Sequence, residues 1–214
     1  MGTSEAGRPV GRDGGRSAPG LPSGNAPCGA LPVRPRDRVV RAVCRALPPL
    51  WAACGWRRAA GMLRHYLRGG GEPYEVDAEE VLRLPVVRAS VARHLRRWRA
   101  EAAGRGVGTH RADSGWRGAL ITRRGSVDWW LALRGVQYRL SGTVRVAEDG
   151  RMEVAYRFQV HKSWNFDRGQ SEFGVPFAPF ARLHETGLAR EFVVMGTAPA
   201  RVDRAGAAPL PPAA

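Results

Sequence analysis

Polar and apolar positions change rhythm once along this chain, near residue 104. Before it, apolar residues recur every three or four positions; after it, they alternate. Val39 to Leu47 reads as a short helix stopped by Pro48-Pro49, because proline removes a helix donor and clashes with the preceding turn. Trp51 to Leu67 reads as a second helix with one apolar face, ended by Gly69-Gly70-Gly71. Asp77 is an N-cap with Glu80 in capping-box position. A longer helix spans about Pro85 to Ala103, with Val87, Val91, Leu95 and Trp98 as its core stripe. Arg88, Arg93, Arg96, Arg97 and Arg99 lie largely off that stripe, on a solvated face or in a nucleic-acid or membrane contact.

Residues 104–115 read as a polar, glycine-containing loop, and β-type patterning begins at Trp116. Ala119 to Thr122, Asp128 to Leu133 and Val136 to Val146 read as strands. Glu148-Asp149-Gly150 turns the last of these into Met152–Val160, since Asp-Gly between alternating β-formers is a strong hairpin signal. Tyr138, Leu140, Gly142, Val144 and Val146 share one face, as do Val154, Tyr156, Phe158 and Val160. A helix over Pro179 to Leu188 and a strand over Glu191 to Met195 follow. The expected class is α+β: N-terminal helices, then an antiparallel β-sheet, open or barrel-like, with a short C-terminal helix and strand. Residues 1–37 and 197–214, rich in Gly, Pro, Ser and Ala, read as disordered ends around a single domain over 38–196.

Composition adds a lopsided charge. The 214 residues carry 34 Lys and Arg against 19 Asp and Glu, and Lys162 is the only lysine. Arginine matches phosphate and carboxylate with a rigid fork, so an anionic partner is expected: anionic lipid, pyrophosphate or nucleic acid. A GC-rich coding bias toward Arg, Ala, Gly and Pro explains the same excess. Three cysteines, Cys28, Cys44 and Cys54, lack CxxC spacing and support neither a zinc site nor a disulfide framework. No apolar run is long enough to span a bilayer, and residues 1–37 lack a signal-peptide core. Synthesis in the cytoplasm is the expectation.

Standard catalytic signatures are absent: no Walker loop, GxSxG, HExxH or dinucleotide fingerprint. The chemistry-bearing stretch is Val160 to Gly169, where a strand gives way to a loop beside a sheet. It holds His161, Lys162, Trp164, Asn165 and Asp167. Asp167 is the leading metal or acid–base carboxylate, with loop capping as its other role. Asp149 belongs to its turn, and Asp128 opens a strand. Trp129-Trp130, on a strand, would put one indole on each face. His184-Glu185 reads either as an acid–base pair or as a surface helix pair.

From His65 onward the order of segments resembles the C-terminal domain of colicin M, a lipid II-degrading bacteriocin family, over about residues 62–196. His65-Tyr66-Leu67-Arg68-Gly69-Gly70-Gly71-Glu72, the hairpin from Gly142 to Val160, and Ala181 to Gly196 carry the resemblance. It implies a divalent-metal (Mg2+) hydrolysis between undecaprenyl and pyrophosphate in the peptidoglycan precursor. The family's strand exit holds an Asp-x-Tyr-Asp motif; here Lys162, Trp164 and Asn165 replace its residues, Phe166 keeps the next aromatic, and its later His-Arg pair, which would fall near Ser171-Glu172, is not matched. Three readings follow: the fold with activity lost, a site rebuilt from Asp167, Glu172 and His184, or a likeness of architecture only. The resemblance implies a toxin-like effector on lipid II, exported by another route to act at the cell envelope; the alternative is a non-catalytic binder of lipid pyrophosphate or nucleic acid. Residues 1–60 are too short to supply that family's translocation and receptor-binding parts.

Overall fold

A computed structural model describes residues 24–172 and 174–205. The sequence expectations for 1–23 and 206–214 lie outside them. One face of a seven-stranded sheet is covered by helices and the other is open to solvent. The helices are α1 (Pro35–Ala53), α2 (Arg57–Arg68), α3 (Ala78–Arg83), α4 (Pro85–Ala103), α5 (Val127–Ala132) and α6 (Ala178–Glu185). The strands are β1 (Tyr74–Glu75), β2 (Gly108–Asp113), β3 (Arg117–Leu120), β4 (Gly135–Val146), β5 (Met152–Trp164), β6 (Ser171–Glu172), β7 (Val175–Pro176), β8 (Phe192–Thr197) and β9 (Arg201–Ala205).

Strand order is β1-β8-β5-β4-β2, with β3 also pairing β4 and β9 also pairing β5; β6 and β7 form a separate ribbon. Every pair is antiparallel except β1 with β8, which is parallel, and the sheet ends on β1 and β2 without closing into a barrel. Alternation makes one face apolar: Val136, Tyr138, Leu140, Val144 and Val146 on β4 meet Val154, Tyr156, Phe158 and Val160 on β5. The α4 stripe predicted from sequence (Val87, Val91, Leu95, Trp98) is buried, and Ser90 Oγ on the same helix lies 2.6 Å from Tyr138 Oη. The opposite face carries partly exposed side chains such as Arg139, Arg157 and His161, as an antiparallel sheet with one solvated face should.

Several elements differ from the sequence expectation. α1 runs through Pro48 and Pro49, held across them by Leu47 and Trp51 packing on the core, and the chain breaks instead at Gly55, with φ of 82°. Asp128 to Leu133 is a helix, not a strand. Ser126 caps it by accepting from Trp129 N at 3.2 Å, and both Trp129 and Trp130 are buried. The presumed loop of 104–115 contains β2, because its alternating residues complete the β4 edge. Residues 201–205, read as tail, add β9 to β5. Part of the leader is also built in: Asn25 Nδ2 donates to Phe166 O at 2.8 Å, and Leu31 N to Glu185 O at 2.8 Å. Asp77 caps α3 through Glu79 N, while Glu80 pairs with Arg58 at 2.7 Å instead of closing a capping box. All three cysteines are free thiols, and burial pushes Cys44 up to about 11.

Candidate functional site: an apolar cleft beside Lys162

The chain's only lysine sits on the covered face of the sheet. Alternation along β5 continues past Val160, so Lys162 and Trp164 follow Val154, Tyr156, Phe158 and Val160 under the helices. Its sequence neighbour His161 points to the opposite face, where it meets Trp116 edge-on at 5.8 Å. Across the ladder Lys162 stands beside Val194, which is fully buried. A charge on an apolar strand face is expensive unless something offsets it.

Burial pushes the Lys162 ammonium below the ordinary lysine value; the nearby Asp167 carboxylate opposes this shift and the Arg134 guanidinium adds to it. The Lys162 ammonium makes no hydrogen bond or ion pair within 4 Å to any described residue. It lines a cleft of about 780 Å³ that is mainly apolar. Leu47 and Trp51 of α1, Leu63 of α2, Trp130 of α5, and Phe166, Phe177 and Phe180 make much of its wall. Phe166 stacks on Phe180 at 4.7 Å and meets Phe177 edge-on at 5.3 Å. At the rim Leu120 is 60% exposed and Val175 50%. The volume and lining suit a ligand with a large apolar part.

Asp167 lies at the polar end of the cleft, after the strand exit. Asn165 Nδ2 donates to its Oδ1 at 2.8 Å, and Gln170 Nε2 donates to its Oδ2 at 3.1 Å. Both oxygens are thus engaged by amides from its own loop, and Gln170 N closes the turn onto Asp167 O at 3.0 Å. Trp164 has a packing role: its Nε1 donates to Ala132 O at 2.7 Å and its ring stacks on Phe192 at 5.1 Å. Arg134 is exposed at the cleft, and it is the one non-glycine residue with positive φ (49°) among the described residues. That left-handed conformation, just past the end of α5, is one that glycine or asparagine usually fills.

His184 is not brought to the cleft. Its Nδ1 accepts from Glu191 N at 3.1 Å, and its Nε2 is 3.8 Å from Glu191 Oε2. Glu185 is not part of a surface pair either. It is 1% exposed, ion-paired with Arg168 through Nε at 2.8 Å, and accepts from Ala26 N at 3.1 Å. The Arg168 bond outweighs burial and holds the Glu185 carboxyl below its ordinary value. The side chain of Glu172 lies outside the described residues. Asp128, expected merely to open a strand, caps α2 from a distance: its carboxylate accepts from Ala59 N at 2.9 Å and Arg58 N at 3.2 Å.

Magnesium asks for a near-octahedral oxygen set, with at least one or two free carboxylates. Among the described residues the cleft offers one carboxylate, Asp167, engaged by two amides and close to Lys162. No group of three His, Cys, Asp or Glu side chains able to hold a metal occurs among the described residues. The donor set does not fit the Mg2+ that the resemblance implied. Lys162 and Arg134 set two cations against the Asp167 carboxylate in an otherwise apolar lining, a positive balance that an anion can meet.

The sequence missed Arg134, Gln170 and the Phe177–Phe180 wall. One signal was available: carrying the alternation of β5 two residues beyond Val160 puts Lys162 on the core face. No family model matches the chain, and no curated protein matches it. Among solved structures it is similar to PaeM, a colicin M-like bacteriocin of Pseudomonas aeruginosa. Identity is 14% and TM-score 0.49, covering 71% of this chain and 52% of that one. It is also similar to a truncated bacteriocin syringacin M from Pseudomonas syringae pv. tomato DC3000, at 15% identity and TM-score 0.42, covering 69% and 60%. Pectocin M2 is more remote, at 13% identity and TM-score 0.34. The chain spans about half the length of most of these proteins, and the reading of the cleft rests on its own residues.

Proposed function

We propose that this domain binds a lipid-linked pyrophosphate of the peptidoglycan-precursor type, and does so without metal-dependent hydrolysis. The observation that carries it is Lys162: a lone ammonium on the core face of β5, opening into an apolar cleft of about 780 Å³. The isoprenoid tail would lie along Trp51, Phe166 and Phe180, with the exposed Leu120 and Val175 at the mouth. The pyrophosphate would meet Lys162 and Arg134, as charge-assisted bonds to phosphate require. Asp167 acts here as a positioning carboxylate: it favours the charged form of Lys162, and Asn165 and Gln170 hold it in place. The segments resembling colicin M direct the choice of lipid. The family motif's carboxylates are replaced in this chain, and among the described residues no group of three His, Cys, Asp or Glu side chains could hold a metal.

Titrating lipid II into the full chain in detergent, followed by tryptophan fluorescence, tests this, since Trp51, Trp130 and Trp164 line the cleft. Saturable binding is expected, with no pyrophospho-disaccharide released with or without Mg2+. Lys162→Met should weaken binding at least tenfold, about 1.4 kcal/mol or more. Absence of binding would sink the proposal. Mg2+-dependent turnover that disappears in Asp167→Ala would replace it with the hydrolase reading.

A further inference from the structure

A second cavity, sharing no residue with the cleft, lies between α3, α4 and β9. This groove is about 390 Å³ in volume. Arg88, Arg96 and Arg99 reach it from α4, Arg83 from the end of α3 and Arg201 from β9. Among the described residues the one acid lining it, Asp203, is already matched by Arg99 at 2.9 Å, and Arg201 is matched by Glu79. Arg83, Arg88 and Arg96 are exposed and form no ion pair with any described residue. Beneath them Arg99 Nε is buried and has no acceptor. Buried donors are almost always satisfied, so this one points to a missing acceptor.

We propose that this groove is a second binding site, for the phosphate chain of a nucleic-acid strand. Arg88 and Arg96 stand eight residues apart on one helix, roughly 12 Å along its axis. A single phosphate cannot cover that row; a chain of phosphates can. The charges stand on two walls of a concavity, which suits a strand entering it and not a flat membrane. The aromatic in the lining, Tyr156, is buried beside Arg201 and offers no face for stacking. Recognition is therefore through the backbone, with little dependence on base identity. Ala92, between Arg88 and Arg96 on the helix, leaves room for the strand to approach.

Fluorescence anisotropy of a labelled single-stranded 12-nucleotide DNA with the full chain tests this. The expected log–log salt slope is about −2, from three unpaired arginines at about 0.7 each. Arg88→Gln/Arg96→Gln should weaken binding tenfold or more and bring the slope to about −0.7. Arg111→Gln/Arg145→Gln removes the same charge from exposed positions of β2 and β4, and should change affinity less than twofold. Inorganic tripolyphosphate should compete. Equal losses in the two double variants would trace binding to net charge and overturn the groove assignment. Failure to bind the oligonucleotide would also overturn it, and so would groove-dependent binding to phosphatidylglycerol vesicles in its place.

Discussion

Lys162 and Arg134 are both unfavourable for folding where they stand. Lys162 is an ammonium drawn below its ordinary pKa chiefly by burial. The unfolded chain therefore holds this proton more tightly. The penalty is complete below the lowered folded value and fades as pH rises from there toward 10.5. Lys162 is half-buried, so Lys162→Met should raise stability at pH 7 by up to about 1 kcal/mol, as hydrophobic replacement of a desolvated charge often does. The gain should shrink as pH approaches 10.5, and denaturant melts at pH 7 and pH 10 measure it. A gain that is absent or independent of pH would count against a desolvated charged lysine. Arg134, at φ of 49°, holds a backbone conformation that disfavours side chains by roughly 1–2 kcal/mol. Arg134→Gly should stabilise by about 0.5–1 kcal/mol while weakening lipid pyrophosphate binding. A variant that gains stability but loses affinity marks a residue kept for its ligand.

At the scale of elements, α2 depends on a residue about seventy positions away. Trp56, its N-cap, offers no side-chain cap, and its first turn has no acid. Asp128 on α5 supplies the missing acceptor to Arg58 N and Ala59 N and pairs with Arg58 Nη1 at 3.2 Å. Asp128→Ala should destabilise the domain by about 1–3 kcal/mol, because it orphans buried helix donors. Thermal melts report the loss, and a change under 0.5 kcal/mol would mean that solvent satisfies those N–H groups. The β4–β5 pair has a comparable requirement at Gly142. A Cβ there would stand 2.0 Å from Ala155 O and 2.8 Å from Tyr156 Cα. Gly142→Ala should therefore cost more than 2 kcal/mol, by forcing the two central strands apart; a melt near the wild-type value would show that the ladder yields.

Across the whole molecule, two buried carboxylates tie the N-terminal segment to the end of the sheet. Asp37 of α1 accepts from Arg34 N at 2.8 Å and pairs with Arg182 of α6 at 2.9 Å. Burial pushes its carboxyl up, but Arg34 N–H and Arg182 together hold it below the ordinary value. Glu185 joins α6 to Arg168 beyond β5 and to Ala26. Both folded values are depressed, so their contribution is complete above the ordinary values of 3.8 and 4.5. It is lost as pH falls through the lowered folded values. Glu185→Gln should destabilise the protein by about 1–3 kcal/mol at pH 7, with the difference disappearing in acid. A difference constant between pH 7 and pH 2 would show that the pair is not the cause.

The α+β class, the α4 stripe, the β4–β5 hairpin and the Gly69 helix stop were legible in the sequence. Each follows from periodicity or from a turn residue acting over a few positions. Asp128 to Leu133 forms a helix where the pattern predicts a strand, because six residues are too few to separate the two periods and Ser126 caps the helix. Residues 24–34 and β9 escaped because their partners, α6 and β5, are far away in the chain. The arginine excess was visible, but not its gathering around one groove by α3, α4 and β9. Lys162 belongs to both levels. Local alternation put it on the core face of β5, and only the packing of α1, α2, α5 and α6 left an apolar cleft open beside it. Contacts within a few residues settle which face a side chain takes; whether that face meets core, cleft or solvent depends on elements that sequence distance conceals.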